Sequence, residues 1–194
     1  SWCRMKQLQD RIRAEGRVLP GNIIKVDGFL NHRVDTALMR DMAKEFKSRF
    51  DLTGLTCVLT VEASGIALAT ICAEEFGVPL VFAKKAKSDN IEGGLYKSDI
   101  YSYTYKKHVT LIVASQWLCS SDKVFIVDDF LANGEALRGL VEIVDVVAET
   151  LAHLGDAERR LLAAGLQHVE EVHEHALRGL GAHVHLGAPP FHRA

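Results

Sequence analysis

The sequence predicts an α/β fold, a mostly parallel twisted sheet with helices on both faces. Three observations carry this expectation. Short apolar, β-branched runs recur at residues 55–61, 80–83, 109–114 and 124–127. Longer segments with apolar residues every three or four positions lie between several of them. Turn signals such as Thr53-Gly54 and Gly77-Val78-Pro79 separate the two kinds of segment. Strands alternating with helices at this spacing pack the helices onto the faces of a sheet.

The elements follow in order. Residues 4–15 read as a helix stopped at Gly16. Val18 and Leu19 lead into the turn pair Pro20-Gly21, and 23–26 read as a short strand. Asp35 is placed to cap a helix whose Leu38, Met42, Phe46 and Phe50 share one face. Thr53-Gly54 ends that segment, and 55–61 follow as a buried strand. Glu62-Ala63-Ser64-Gly65 connects it to an apolar helix reaching Phe76, and strand 80–83 comes next. The polar stretch 84–99, with Gly93-Gly94, predicts a mobile loop. Residues 100–105 alternate like a half-buried hairpin arm, with 109–114 as partner. Strand 124–127 precedes a helix that buries Leu137, Leu140, Val141 and Val144.

The last part of the chain differs in composition. From about residue 145 to Ala194 there is no Lys, Ile, Ser, Asn or Tyr, and all the histidines except His32 and His108 lie there. Within it, 157–178 read as a helix with Leu162, Leu166, Val169 and Ala176 on one face, and Pro189-Pro190-Phe191 as irregular. The expected organisation is one domain over 1–194, with 145–194 an atypical His/Ala/Leu-rich segment.

Bulk properties narrow the function classes. The chain has 194 residues, 48% hydrophobic and 25% charged, the profile of a soluble globular domain. A net charge of -2 gives no electrostatic reason to expect nucleic-acid binding. No apolar run approaches the ~18–20 residues that span a bilayer. Lys6, Asp10 and Arg11 break any secretory pattern, so a cytoplasmic protein without membrane contact is expected. Cys3, Cys57, Cys72 and Cys119 show no paired metal spacing and read as reduced thiols, with Cys57 and Cys72 in the core. His173/His175 and His183/His185 share a face only on a strand, and no metal site is predicted from them.

The most informative stretch is 124–136, Val-Phe-Ile-Val-Asp-Asp-Phe-Leu-Ala-Asn-Gly-Glu-Ala. A buried strand delivers Asp128 and Asp129 to its carboxyl end, where open α/β sheets bind ligands. A small-residue turn then opens a helix whose free amides suit a phosphate. Carboxylates there can accept hydrogen bonds from ribose hydroxyls. Capping the next helix or binding a metal directly are the plainer uses of such an acid pair. Glu62-Ala63-Ser64-Gly65 sits at a second strand-to-helix turn, two crossovers earlier. It fits either a pyrophosphate cradle or an ordinary turn capped by Ser64. Lys84, Lys85 and Lys87 read as a solvated basic run or as cations for a departing pyrophosphate, with Lys85 the chosen ligand.

The string 124–136 resembles the phosphoribosyl-pyrophosphate motif of type I phosphoribosyltransferases. Its Asp-Asp-Phe-Leu-Ala-Asn-Gly form is similar to that of the xanthine phosphoribosyltransferases. Residues 17–32, reading Lys-Val-Asp-Gly-Phe-Leu-Asn-His at their end, resemble the N-terminal segment of the same group. The resemblance covers about residues 8–144. It implies a small N-terminal hood over the purine, with Ile24 as an apolar wall and Asn31 as a hydrogen-bond partner. Ile24 serves equally as a core residue. It also implies a pyrophosphate loop at Glu62, Ala63, Ser64 and Gly65, and a 5′-phosphate cradle at Ala132, Asn133, Gly134, Glu135 and Ala136. Asp128 and Asp129 would be the catalytic acids. The implied activity transfers a phosphoribosyl group to xanthine in purine salvage, with Mg²⁺ carried by the pyrophosphate, in a homodimer. Transfer to hypoxanthine or guanine is the near alternative. A regulator that senses phosphoribosyl pyrophosphate and binds nucleic acid is the distant one.

Two departures stand out. Glu135 occupies a place where the family usually has glutamine, and a carboxylate beside a phosphate is expected to be mildly repulsive. The family continues into a strand ending Ile-Glu-Lys-x-Phe-Gln, whose lysine contacts the purine. Nothing after residue 144 matches it.

Overall fold

The computed structural model describes residues 5–19, 23–86, 94–102, 107–131, 134–149 and 185–186. Helix α1 (Lys6–Glu15) ends at Gly16, whose N–H reaches Ile12 O at 2.8 Å. Strands β1 (Arg17–Leu19) and β2 (Ile23–Lys25) pair antiparallel, Val18 opposite Ile24. The expected Pro20-Gly21 turn lies outside the described residues. A π-helical turn, Asp27–Asn31, buries Phe29 and Leu30. Helix α2 (Thr36–Arg49) starts on Asp35, which accepts the Ala37 and Leu38 amides at 3.1 Å as an N-cap should.

Strand β3 (Cys57–Val61) leads into α3 (Gly65–Phe76). Gly77 stops that helix at φ 74°, where a side chain would be strained. Strand β4 (Leu80–Ala86), β5 (Leu95–Ser102), β6 (Lys107–Ala114), β7 (Val124–Ile126), α4 (Glu135–Glu149) and β8 (His185–Leu186) complete the described elements.

The main sheet has the order β5-β6-β4-β3-β7-β8. Its centre, β4-β3-β7, is parallel. Its flanks are antiparallel: β6 against both β4 and β5, and β8 against β7. The sheet is therefore mixed, and the expected parallel character is confined to the centre. β5 and β6 are hairpin arms, and a short connection joins only antiparallel strands.

The predicted loop over 84–99 is corrected at both ends. Lys84 and Lys85 continue β4, opposite Ile112 and Leu111 of β6. Leu95 to Asp99 form the first part of β5, opposite Ala114 to Thr110. Ladder hydrogen bonds use backbone groups, so polar side chains do not prevent pairing beside a strand as apolar as β6. Residues 87–93, including Lys87 and Gly93, and 103–106 lie outside the described residues.

Alternate side chains of the central strands feed two cores. Val58, Phe125 and Val127 join α2 and α3 on one face. Cys57, Leu59, Val61, Val124 and Ile126 join α4 on the other. On the first face Phe125 is surrounded by Phe46, Phe50 and Phe76, with ring centroids 6.2, 5.9 and 5.0 Å away. On the second, Leu140, Ile143 and Val147 are the deepest residues of α4, flanked by the expected Leu137, Val141 and Val144. The compositional seam near 145 thus falls inside a helix, because Val147 continues the buried face. Burial pushes the Cys57 and Cys72 thiols up to about 12, consistent with inert core residues. The expected 157–178 helix and the Pro189-Pro190-Phe191 end lie outside the described residues. Among the described residues no helix is long and apolar enough to cross a membrane.

Candidate active site

The three parallel strands bring three sequence-predicted segments to one edge. β3 ends in Glu62-Ala63-Ser64-Gly65, the neighbouring β4 carries Lys85 near its end, and β7 leads through buried Val127 to Asp128 and Asp129. This is the carboxyl edge at which open α/β sheets take ligands.

Hydrogen bonds tie these segments together. Ser64 Oγ donates to Asp129 Oδ1 at 2.9 Å. The Asp129 amide donates to Asp128 Oδ1 at 2.9 Å. Glu62 Oε1 accepts the Lys85 amide at 2.6 Å, and the Glu62 amide donates to Ala83 O at 3.0 Å. The Glu62–Ala63 peptide is cis. Ser64 occupies the N-cap position of α3 but makes no side-chain cap bond. Its hydroxyl is committed to the acid pair, which corrects the plainer reading of this turn as one capped by Ser64.

The acid pair is electrostatically loaded. Asp129 is 8% exposed, and its Oδ2 is buried without a hydrogen-bond partner. Burial raises the Asp128 carboxyl well above the usual carboxylate range, and the adjacent Asp129 charge adds to this. The Asp129 amide and the Lys85 charge work in the opposite direction. Gly65 has no room for a side chain, since a Cβ there would fall on the Thr60 hydroxyl and 2.6 Å from Asp128 Oδ1.

The other half of the site is the start of α4. Gly134 adopts φ 76°, and its amide closes on Leu131 O at 2.7 Å. That amide closes the turn that leads into α4. Glu135 and Ala136 open α4, whose first-turn amides have no intrahelical acceptor. The Glu135 carboxylate accepts the Tyr101 amide at 3.1 Å and pairs with Arg138 at 3.0 Å. Arg138, then the Tyr101 amide, holds that carboxyl below its usual range. Arg138 is shared with Glu142, so the Glu135 charge is matched only in part. Ala132 and Asn133 lie outside the described residues.

Ile24 and Asn31 stand apart from this hydrogen-bond network. Ile24 is partly buried against the α2/α3 core, and Asn31 is exposed at the end of the π-helical turn. Among the described residues no group of three side chains is arranged to hold a metal ion. His173, His175 and His183 lie outside them.

One buried polar group escaped sequence reading. Thr60 is fully buried in β3, and its hydroxyl has no partner. The available signal was a single hydroxyl in the run Cys57-Val58-Leu59-Thr60-Val61. Threonine's ordinary preference for strands concealed it.

Comparisons with known proteins agree on a lineage. The chain is 45% identical over 171 residues to the xanthine phosphoribosyltransferase of Lachnoclostridium phytofermentans, covering 88% of each protein. It is 46% identical over 151 residues to the xanthine phosphoribosyltransferase of Streptococcus pneumoniae serotype 2, covering 78% of each. Among solved structures, the Giardia lamblia adenine enzyme (APRTase) with 9-deazaadenine matches with a TM-score of 0.60 and 25% identity. That match covers 72% of this chain and 77% of the other. The adenine phosphoribosyltransferase of Trypanosoma brucei, in complex with AMP, pyrophosphate and ribose-5-phosphate, matches with a TM-score of 0.59 and 22% identity. It covers 76% of this chain and 64% of that one, and it bears on the fold alone. No family model matches.

Proposed function

The chain belongs to the xanthine phosphoribosyltransferase family, and from that premise we propose that it transfers the phosphoribosyl group of 5-phosphoribosyl 1-pyrophosphate to xanthine in purine salvage. The products are xanthosine 5′-monophosphate and pyrophosphate. The observation that carries this reading is the acid pair. Asp128 and Asp129 stand at the end of a parallel strand, and the buried Asp129 Oδ2 lacks a partner that a ribose hydroxyl would supply.

A purine ring nitrogen attacks the anomeric carbon as its bond to pyrophosphate breaks, and positive charge develops on the ribose ring. Asp128 and Asp129 accept hydrogen bonds from the ribose hydroxyls and offset that charge. The turn at Glu62, Ala63, Ser64 and Gly65 faces the pyrophosphate, and Lys85 supplies a cation beside it. The turn at Ala132, Asn133 and Gly134 and the first-turn amides of α4 at Glu135 and Ala136 hold the 5′-phosphate. The pyrophosphate of the substrate would carry Mg²⁺, which would supply charge to neutralise the leaving group. Ile24 and Asn31 of the hood contact the purine. Positioning of the two substrates supplies much of the rate, and the acidic purine needs no protein base. The same reading favours a single domain, a cytoplasmic setting and a homodimer.

A purine panel with phosphoribosyl pyrophosphate and Mg²⁺, followed by product chromatography, tests it. Xanthosine 5′-monophosphate is the expected main product. A larger yield from hypoxanthine or guanine would move the assignment to those bases. No nucleotide from any base, with salt-sensitive DNA retention in a gel, would replace the enzyme with a regulator.

A further inference from the structure

Thr60 is 0% exposed, and its Oγ1 has no hydrogen-bond partner. A buried hydroxyl left alone destabilises a fold, because its bonds to water are lost and not replaced. A valine of nearly the same shape would fill the position without that cost. The hydroxyl's surroundings indicate what it is for. Thr60 Oγ1 and Asp128 Oδ1 are the two atoms that converge on the space where Gly65 lacks a side chain, at the first residue of α3. The side-chain group nearest that space besides the hydroxyl is the carboxyl of a proposed catalytic acid.

We propose that Thr60 is a positioning residue for this reaction, its hydroxyl fixing the Asp128 carboxylate across the gap at Gly65 when the ribose is bound. The proposal deepens the phosphoribosyltransferase reading and rests on it. Two hydroxyls then share the work. Ser64 holds Asp129 through Oδ1, Thr60 holds Asp128 through Oδ1, and the remaining oxygens face the two ribose hydroxyls. Gly65 is required because any side chain would separate the hydroxyl from the acid. The charged and titratable groups that bear on Asp128 are Asp129 beside it on the same segment and Lys85 from β4. Ser64 touches it only through Asp129. A hydroxyl donating to ionised Asp128 favours the charged form against both burial and the Asp129 charge.

The test uses the full chain and its Thr60→Val and Thr60→Ser variants. Calorimetry gives the Kd for phosphoribosyl pyrophosphate with Mg²⁺ from about pH 5 to 9, and melting gives Tm. Thr60→Val is expected to keep or raise Tm, since the unpartnered hydroxyl is gone. It should weaken binding about tenfold at neutral pH, the worth of one hydrogen bond to a charged group. The acid limb of its binding profile should move to higher pH. Thr60→Ser should restore both affinity and profile. Parent-like affinity and an unmoved acid limb in Thr60→Val would overturn the positioning role, as would a limb moved to lower pH. A valine variant that melts early is decided by the serine variant, whose hydroxyl must restore affinity if the proposal holds. Failure of the parent itself to bind would reject the underlying function, a result distinct from parent-like binding in Thr60→Val.

Discussion

Asp128 combines a structural burden with a proposed functional role, and the two separate experimentally. Its carboxyl binds a proton more tightly in the folded chain than in the unfolded one, because burial and Asp129 disfavour its charge. The fold is therefore least burdened below the ordinary carboxylate range and loses stability as pH rises through the raised value. Asp128→Asn removes the burden. The variant should melt higher than the parent at pH 7, and with the parent near pH 3. Its affinity for phosphoribosyl pyrophosphate should fall about tenfold or more. A variant that loses Tm and affinity together would assign Asp128 to the fold. The acid pair was legible in the sequence because a strand, two acids and a small-residue turn follow one another without interruption. Thr60 was not, because its meaning lies in a residue 68 positions later that only the β3–β7 pairing brings near.

Elements were legible where the pattern is local. Asp35 capping α2, Gly77 closing α3 and the apolar face of α4 each follow from residues within one or two turns. The lengths of β4 and β5 were not, because Lys84, Lys85 and Lys97 resemble loop residues until β6 pairs with them. The contact of α4 with this hairpin is close. Gly139 faces Ile100 and Leu111, and a Cβ there would come within 2.5 Å and 2.9 Å of them. Both neighbours are buried, at 3% and 0% exposure, so neither can swing away. Alanine favours a helix over glycine by roughly 1 kcal/mol, and overpacking costs about 1–3 kcal/mol. Gly139→Ala should therefore lower Tm despite its better helix propensity, as a melting curve will show. An increase would mean that α4 can slide on the sheet. The cores also decide which aromatic matters most. Phe125 is fully buried among three rings, and Phe125→Ala should cost about 3–5 kcal/mol in denaturant unfolding. A loss under 1 kcal/mol would show that the three rings close the gap.

At the scale of the whole molecule, the proposed ribose and phosphate contacts and the proposed purine contacts Ile24 and Asn31 come from different elements. Asp128, Asp129, the Glu62–Gly65 turn, Lys85 and the start of α4 meet at one sheet edge, all before the compositional seam. The lysine that contacts the purine in the resembled family has no counterpart in the sequence after α4, because residues 145–194 contain no lysine at all. A purine polar group left without a partner loses about 1–3 kcal/mol. The chain should therefore bind phosphoribosyl pyrophosphate better than it binds xanthine. Grafting the Ile-Glu-Lys-x-Phe-Gln strand tests this, and the structure sets the junction. A graft after Val144 would interrupt α4 before buried Val147, so it belongs after Glu149, the last described residue of the helix. Xanthine affinity should then rise about tenfold, with phosphoribosyl-pyrophosphate affinity unchanged, both read by calorimetry. Unchanged xanthine affinity in a folded graft would show that the existing tail already supplies the missing partner. A large gain in phosphoribosyl-pyrophosphate affinity would mean that the tail, and not the sheet edge alone, completes the phosphate site.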